Sequence, residues 1–302
     1  MIIDAKLTPA YDADDENGKR GSVDFVMSQS SLKQFAANPH KWRHGEKKDR
    51  TMPMLFGSLV DAMFLTPKEV KKRFAITPET YTNDKGEEKP WSWNANVCKE
   101  WRDKQTKEIV SADMRDTAKA AVASLKDCRL VADVLRCADT QVGLAAKWKA
   151  DNGVIIPLRG MIDILPKRDS AWESAIVDLK TAQDGSRGKW SRVIWDSGLH
   201  IQAAMYLDMY NAATDESREQ FLHIIVESAH PHEVGRREVG MEFISLGRAQ
   251  YRHWLNRYAE CLKLNAWPGW EADNEWTLCS PEPWMILKAD APLGNGSDIM
   301  DG

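Results

Sequence analysis

VIIPLRGMIDILPKRDSAWESAIVDLKT, residues 154–181, contains two apolar stretches that each carry charge where a buried strand should have none. Val154 to Leu165 reads as one strand and Ala175 to Thr181 as a shorter, β-branched one. Asp151-Asn152-Gly153 supplies a hairpin turn ahead of them. Before that turn, the alternation of Val142, Leu144, Ala146 and Trp148 marks a preceding strand. Side chains alternate faces along a strand. Asp163 is therefore expected to point with Arg159 and Met161, and Ile162 and Ile164 the other way. Asp178 and Lys180 share one face, with Val177 and Leu179 on the opposite, core-facing side. If the two strands pair, Asp163, Asp178 and Lys180 converge at one end of a sheet.

Two carboxylates and an ammonium on a largely apolar strand pair are costly to bury without a purpose. Neighbouring carboxylates raise each other's pKa unless a cation lies between them. Hard oxygen ligands suit Mg²⁺, with Mn²⁺ as substitute. An interstrand salt bridge would explain a lone Asp-x-Lys tripeptide. The segment that follows shifts the balance, because Leu199 to Ala213 reads as a helix with Gln202 and Tyr206 at i, i+4 on one face.

Outward from this centre, Ser28 to Phe35 reads as a helix capped by Ser28 or Ser30 and ended by Asn38-Pro39. Leu55 to Leu65 is a second helical run, residues 81–95 a polar loop, and residues 111–135 a helix rich in Ala, Val and Leu. Phe221 to Glu227 and Glu238 to Ile244 read as strands, and Leu246 to Leu264 as a long closing helix. Helices followed by a strand group that one helix interrupts predict a single α/β domain, a mixed central sheet flanked by helices. Its expected extent is 23–288, between a flexible, polar 1–22 and a flexible tail over 289–302. Trp91 and Trp93 in the polar loop could stack on bases, although surface packing is the commoner role. His230 and His232, beside Pro231, read as exposed loop histidines.

The 302 residues have a net charge of −4, which by itself does not mark a nucleic-acid binder. Local charge says more: residues 40–50, HKWRHGEKKDR, hold five Lys/Arg against two acids, and Lys71-Lys72-Arg73 and Arg187, Lys189, Arg192 form further clusters. Such basic rims suit a phosphate-binding protein. No run approaches the roughly 18 apolar residues of a membrane span, so no membrane partner is expected. Residues 1–20 lack the pattern of a secretory signal. Cys98, Cys128, Cys137, Cys261 and Cys279 are scattered without a CxxC pair, which argues against zinc and for reduced thiols in a cytoplasm.

RGMID (159–163), IVDLKT (176–181) and HIQAAMY (200–206), in that order, resemble the core of the RecB-like branch of the PD-(D/E)XK nucleases, and within it the RecE-type exonuclease domain. SQSSLKQFAANPHKW (28–42) is similar to that family's Ser-x-Ser-x-Leu helix, and LFGSLVDAMFLTPKEVKKRFAI (55–76) to its Gly-x-x-x-His helix. The resemblance implies that Asp163, Asp178 and the Leu179 carbonyl are metal ligands and Lys180 the catalytic lysine. It also implies that Gln202 and Tyr206 position substrate or support the site. Asp61 stands where the family usually has His, and as a harder ligand would change the number and spacing of the metals more than the reaction. Ser28, Ser30 and Ser31 would grip a DNA end at a helix N-terminus, and Arg159 would touch the substrate backbone. The implied activity is 5′→3′ digestion of linear double-stranded DNA by a homo-oligomeric ring, a trimer or tetramer. It leaves a 3′ single strand for a single-strand annealing protein. Another nuclease mode, or a non-catalytic DNA-binding protein on the same fold, is the alternative.

Overall fold

The computed structural model describes residues 1–10, 18–46, 49–214, 216–270, 276 and 278–283. In chain order its elements are β1 (Ile2–Thr8), β2 (Met27–Ser28), α1 (Gln29–Ala37), α2 (Pro39–His44), α3 (Met52–Leu65), α4 (Val70–Arg73), β3 (Phe74–Ile76), β4 (Thr80–Thr82), β5 (Glu88–Pro90), α5 (Asn96–Asp103) and β6 (Glu108–Val110). There follow α6 (Ala112–Asp127), α7 (Arg129–Arg136), β7 (Ala138–Lys149), β8 (Ile155–Pro166), β9 (Ala175–Ala182), α8 (Arg187–Asp196), α9 (Leu199–Ala213), β10 (Gln220–Glu227), β11 (Val234–Glu238) and α10 (Met241–Leu264). These lie in a compact unit spanning Met1–Trp267; Pro268–Gly302 forms a separate unit.

The central sheet has the order β1-β7-β8-β9-β10-β11, with β2 added beside β8. It is mixed: β9 and β10 run parallel, as do β2 and β8, and the other pairs are antiparallel. The parallel β9–β10 pair requires a crossover. Helices α8 and α9 supply it, and this lays α9 across one face of the sheet, over β1 and β7, from where Gln202 reaches β9.

Helices cover both faces, each over its own apolar core. One core joins α1, α2, α8, α9 and α10 to β7 and β8, with Leu32, Phe35, Trp42, Trp190, Met205 and Tyr258 among its members. The other joins α3, α6 and α7 to β9 and β10, through Phe56, Leu59, Val122, Val177, Leu179 and Ile224. Strand β9 is therefore buried on both sides. The face carrying Asp178 is packed as tightly as the face carrying Val177 and Leu179, and Asp178 itself is only 2% exposed.

Local chemistry sets the ends of several elements. The Ser31 N–H donates to Ser28 Oγ at 3.3 Å, capping α1. Asn38 closes α1 and caps α2, accepting the Lys41 N–H at 2.8 Å. Gly153, at φ +86°, makes the turn between β7 and β8 that Asp151-Asn152-Gly153 predicts.

Five expectations are corrected. Residues 2–8, inside the segment read as flexible, form β1 and pair antiparallel with β7 from Ile2↔Trp148 to Thr8↔Gly143. The segment 11–17 and the tail 289–302 lie outside the described residues. Residues 111–135 divide at Cys128 into two helices with no Gly or Pro to mark the break; α6 packs on α3 and β10, whereas α7 packs on β7 and β8. Residues 238–244 are not a strand. The strand is β11, ending at Glu238, and α10 begins after Gly240, with Ile244, Gly247 and Tyr251 on its buried stripe. His232 is buried, with Nδ1 2.9 Å from the Glu227 carbonyl, while His230 is exposed. The polar loop contains the short β4–β5 hairpin, and Trp91 packs edge-on against Trp93 and Trp101.

Candidate active site

Strands β8 and β9 are registered at Ile164↔Val177, which sets Asp163 across from Asp178. Past that pair the Leu179 N–H turns to Asp163 Oδ2 at 2.9 Å, so a side-chain carboxylate stands where a ladder carbonyl would be. The strands part around this substitution. Gln141 of β7, at φ +54°, reaches into the gap, and its Nε2 lies 3.3 Å from Asp163 Oδ1 and 3.5 Å from Asp61 Oδ2.

Asp61 arrives from α3. That helix lies close against β9 because Gly57 lacks a side chain; a Cβ there would stand 3.0 Å from Thr181 Oγ1. One turn further on, Asp61 joins Asp163, Asp178 and Lys180. Lys180 Nζ is ion-paired with Asp178 Oδ2.

From the crossover helix, Gln202 Nε2 donates to Asp178 Oδ1 at 2.8 Å. Tyr206, one turn on, lies on Gly160 of β8, where any Cβ would come within 2.7 Å of the ring. The predicted i, i+4 face therefore does point at the strand pair.

Ser28 and Arg159 sit side by side, as Cα partners in the β2–β8 register. Ser28 is occupied as the α1 cap, and its Oγ lies 3.1 Å from Ser30 Oγ. Ser31 Oγ accepts the Trp42 indole N–H at 3.0 Å, which ties α1 to α2.

The electrostatics follow from three acids gathered in a poorly solvated place. Burial, then the carboxylates of Asp61 and Asp178, push Asp163 well above the ordinary carboxylate range, against the pull of Lys180 and the Leu179 N–H. Burial raises Asp61 to about 6; Lys180 and Arg73 lower it and Asp178 raises it. For Lys180, burial opposes the charged form, but the carboxylates of Asp178, Asp163 and Asp61 outweigh it and hold its pKa above the usual value.

Among the described residues no three His, Cys, Asp or Glu side chains stand grouped as a ready metal cluster. The donors nevertheless fit a hard divalent cation. Asp61 Oδ1 is buried with no hydrogen-bond partner among the described residues. A cation would also favour the charged forms that burial first, and then the neighbouring carboxylates, disfavour at Asp163 and Asp61.

Three residues near the site were not singled out from the sequence. Gln141 precedes the alternating run that marks its strand. Lys33 of α1 is lowered by burial and then by the like charge of Lys180, and its Nζ donates to the Ser197 carbonyl. His223 of β10 lies opposite Asp178 in the parallel register. Its partners come from separate parts of the chain, so no local pattern marks it.

A parted strand pair carrying Asp163 and then Asp178-x-Lys180, faced by a helix bearing Gln202 and Tyr206, is the arrangement that the motif order leads one to expect. Residues 26–274 match the family model of the PDDEXK-like domain of unknown function (DUF3799), and the chain belongs to that family. It is similar in fold to the crystal structure of a "Putative exonuclease" from Eubacterium rectale. The TM-score is 0.59 at 15% identity, over 94% of this chain and 100% of that one. No curated protein matches the chain. Among the described residues no helix is long and apolar enough to cross a membrane.

Proposed function

We propose that this protein is a Mg²⁺-dependent deoxyribonuclease of the PD-(D/E)XK class, acting on the ends of double-stranded DNA. The observation that carries the reading is the meeting of Asp61, Asp163, Asp178 and Lys180 from α3, β8 and β9 in one partly buried place where carboxylates outnumber the ammonium. An ordinary salt bridge would be complete with Asp178 and Lys180 alone; the further carboxylates of Asp61 and Asp163 make a donor set suited to a hard divalent cation.

Asp61, Asp163, Asp178 and the Leu179 carbonyl would hold the metal. When bound, Mg²⁺ supplies Lewis acidity toward water and the scissile phosphate. The protein's own groups do the rest. Gln202 holds Asp178 Oδ1, which leaves the other oxygen for Lys180. Lys180 presents a cation to the charge that develops on phosphate and can orient the attacking water. The Leu179 N–H keeps Asp163 from turning away. Arg159, Ser28 and Ser30, at the β2–β8 end, would meet the DNA backbone.

The RecE-like motif order supports the finer reading: 5′→3′ digestion on a ring of three or four subunits, with the 3′ strand passed to an annealing partner. A net charge of −4 gives a lone subunit little long-range hold on DNA. Closed symmetry would gather the basic clusters at 40–50, 71–73 and 187–192 around one channel.

The test is digestion of end-labelled linear and circular duplex with Mg²⁺, Mn²⁺, Ca²⁺ or EDTA. Linear duplex alone should be degraded, from its 5′ ends, with Mg²⁺ or Mn²⁺ only. Cleavage of circles would replace the exonuclease mode with an endonuclease. Turnover in EDTA would remove the metal mechanism. Mass measurement in solution, with an excess of unlabelled DNA added after digestion begins, tests the ring; a monomer that releases its substrate at once would defeat it.

A further inference from the structure

We propose that His223 is a positioning residue for Asp178, fixed by Trp190 as the tautomer that carries its proton on Nε2. The inference rests on the nuclease reading above, because it gives Asp178 a ligand's task. His223 is 1% exposed, on the strand next to β9 and directly across from Asp178. From α8, the Trp190 indole N–H donates to His223 Nδ1 at 3.2 Å. An indole is only a donor, so Nδ1 must be the accepting nitrogen and the ring proton lies on Nε2.

Nε2 is buried and makes no hydrogen bond among the described residues. Its neighbour is Asp178 Oδ2, at 3.9 Å. A purely structural core histidine normally has both nitrogens satisfied; this one holds an N–H in reserve beside a carboxylate. The Asp178 oxygens are thus divided, Oδ1 held by Gln202 and Oδ2 faced by Lys180 and His223. When Lys180 swings toward a phosphate, His223 is the donor left to hold Oδ2 in place. Partners behind a metal ligand orient it in this way, and their loss weakens metal binding by about 10–100-fold.

The test is Mn²⁺ binding to the DNA-free protein, followed by loss of the free-ion paramagnetic resonance signal. It is made on wild type, His223→Leu, His223→Gln, Trp190→Phe and Asp178→Ala, beside melting curves and cleavage rates. His223→Leu should weaken Mn²⁺ binding about tenfold. His223→Gln, which retains a donor N–H, should recover most of that loss. Trp190→Phe, which frees the ring to change tautomer, should also weaken binding. Nitrogen-15 spectra of the wild-type histidines should show His223 protonated on Nε2.

Wild-type affinity in His223→Leu, or no recovery in a glutamine variant that melts like the leucine one, would overturn the proposal. If His223→Leu fails to fold, a ring protonated on Nδ1, or unchanged binding in Trp190→Phe, overturns it instead. An effect of Asp178→Ala alone removes this role and leaves the nuclease reading standing. Equal binding by wild type and Asp178→Ala removes both.

Discussion

Two aspartates, the buried Asp178 on β9 and the partly buried Asp208 on α9, sit in opposite electrostatic settings. Asp208 accepts from Arg248 Nε at 2.8 Å, the Tyr251 hydroxyl at 2.6 Å and Arg252 Nη2 at 3.1 Å. One anion has two cations and a hydroxyl, so its charge is fully answered and the cluster ties α9 to α10. Around Asp178 the ratio is reversed: three carboxylates face the Lys180 ammonium, with Arg73 acting on Asp61 alone, and an Asp61 oxygen has no hydrogen-bond partner among the described residues. An answered charge contributes to stability, whereas a surplus of like charge costs stability and persists where a ligand is to be bound. Gln202 and Asp208 lie on the same helix, so the difference belongs to the partners rather than to the element.

The contrast is tested most severely by removing its central groups. Lys180→Ala and Asp178→Ala should each lower DNA cleavage at least about a hundredfold, the scale of losing one preorganised charge-stabilising group. DNA binding should stay close to wild type, and Lys180→Ala should melt lower than Asp178→Ala, because it takes the cation away from the remaining acids. A Lys180→Ala protein that cleaved at near wild-type rate would show that the ion pair is only structural.

Exchanging charge for amide in each cluster should move stability in opposite directions. Asp208→Asn leaves Arg248 and Arg252 without their anion and should cost about 1–3 kcal/mol, with cleavage per folded molecule unchanged. Asp163→Asn removes one of three crowded carboxylates and should raise the melting temperature of the metal-free protein at pH 8 while abolishing cleavage. Two shifts of the same sign would erase the distinction.

A smaller effect is expected at Asp61. Asp61→Ala should raise the Mg²⁺ concentration for half-maximal cleavage about tenfold, read from a metal titration at fixed DNA. Unchanged metal demand would leave Asp61 a partly buried acid on α3 with no part in metal binding.

The mildest test is pH. Burial holds Asp61 at about 6 in the fold against an ordinary 3.8. The protonated acid is thus favoured by folding. Its contribution is complete below 3.8 and is lost as pH rises through about 6. The metal-free wild type should therefore lose stability relative to Asp61→Asn over that range, and Mg²⁺ should stabilise it more strongly above it. The variant is the necessary reference because His223, lowered by burial to about 4, acts with the opposite sign: its contribution is lost as pH falls. Parallel melting curves for the two proteins across this range would show that Asp61 carries no such strain.

Much of the site was legible because its signals are local. The period-two alternation of 175–181 and the i, i+4 spacing of Gln202 and Tyr206 are properties of a few consecutive residues, and they placed Asp178, Lys180, Gln202 and Tyr206 on faces that the fold brings together; along 154–165 the alternation breaks at Asp163, because Ile162 enters one core and Ile164 the other. The same local patterns misled where two periods overlap. Val239, Met241 and Phe243 alternate like a strand, yet the buried stripe of α10 claims most of that stretch. Composition misled at 2–8, where polar residues occupy a sheet edge whose exposed face allows them. Only the tertiary structure decided that the face of β9 carrying Asp178 is buried, that Gln141 bridges Asp61 and Asp163, and that Trp190 and His223 stand behind Asp178. Those contacts join residues that meet only through strand order and the α8–α9 crossover. Charge, burial and pKa depend on the groups that are gathered, and a chain read in one dimension contains the groups but not their gathering.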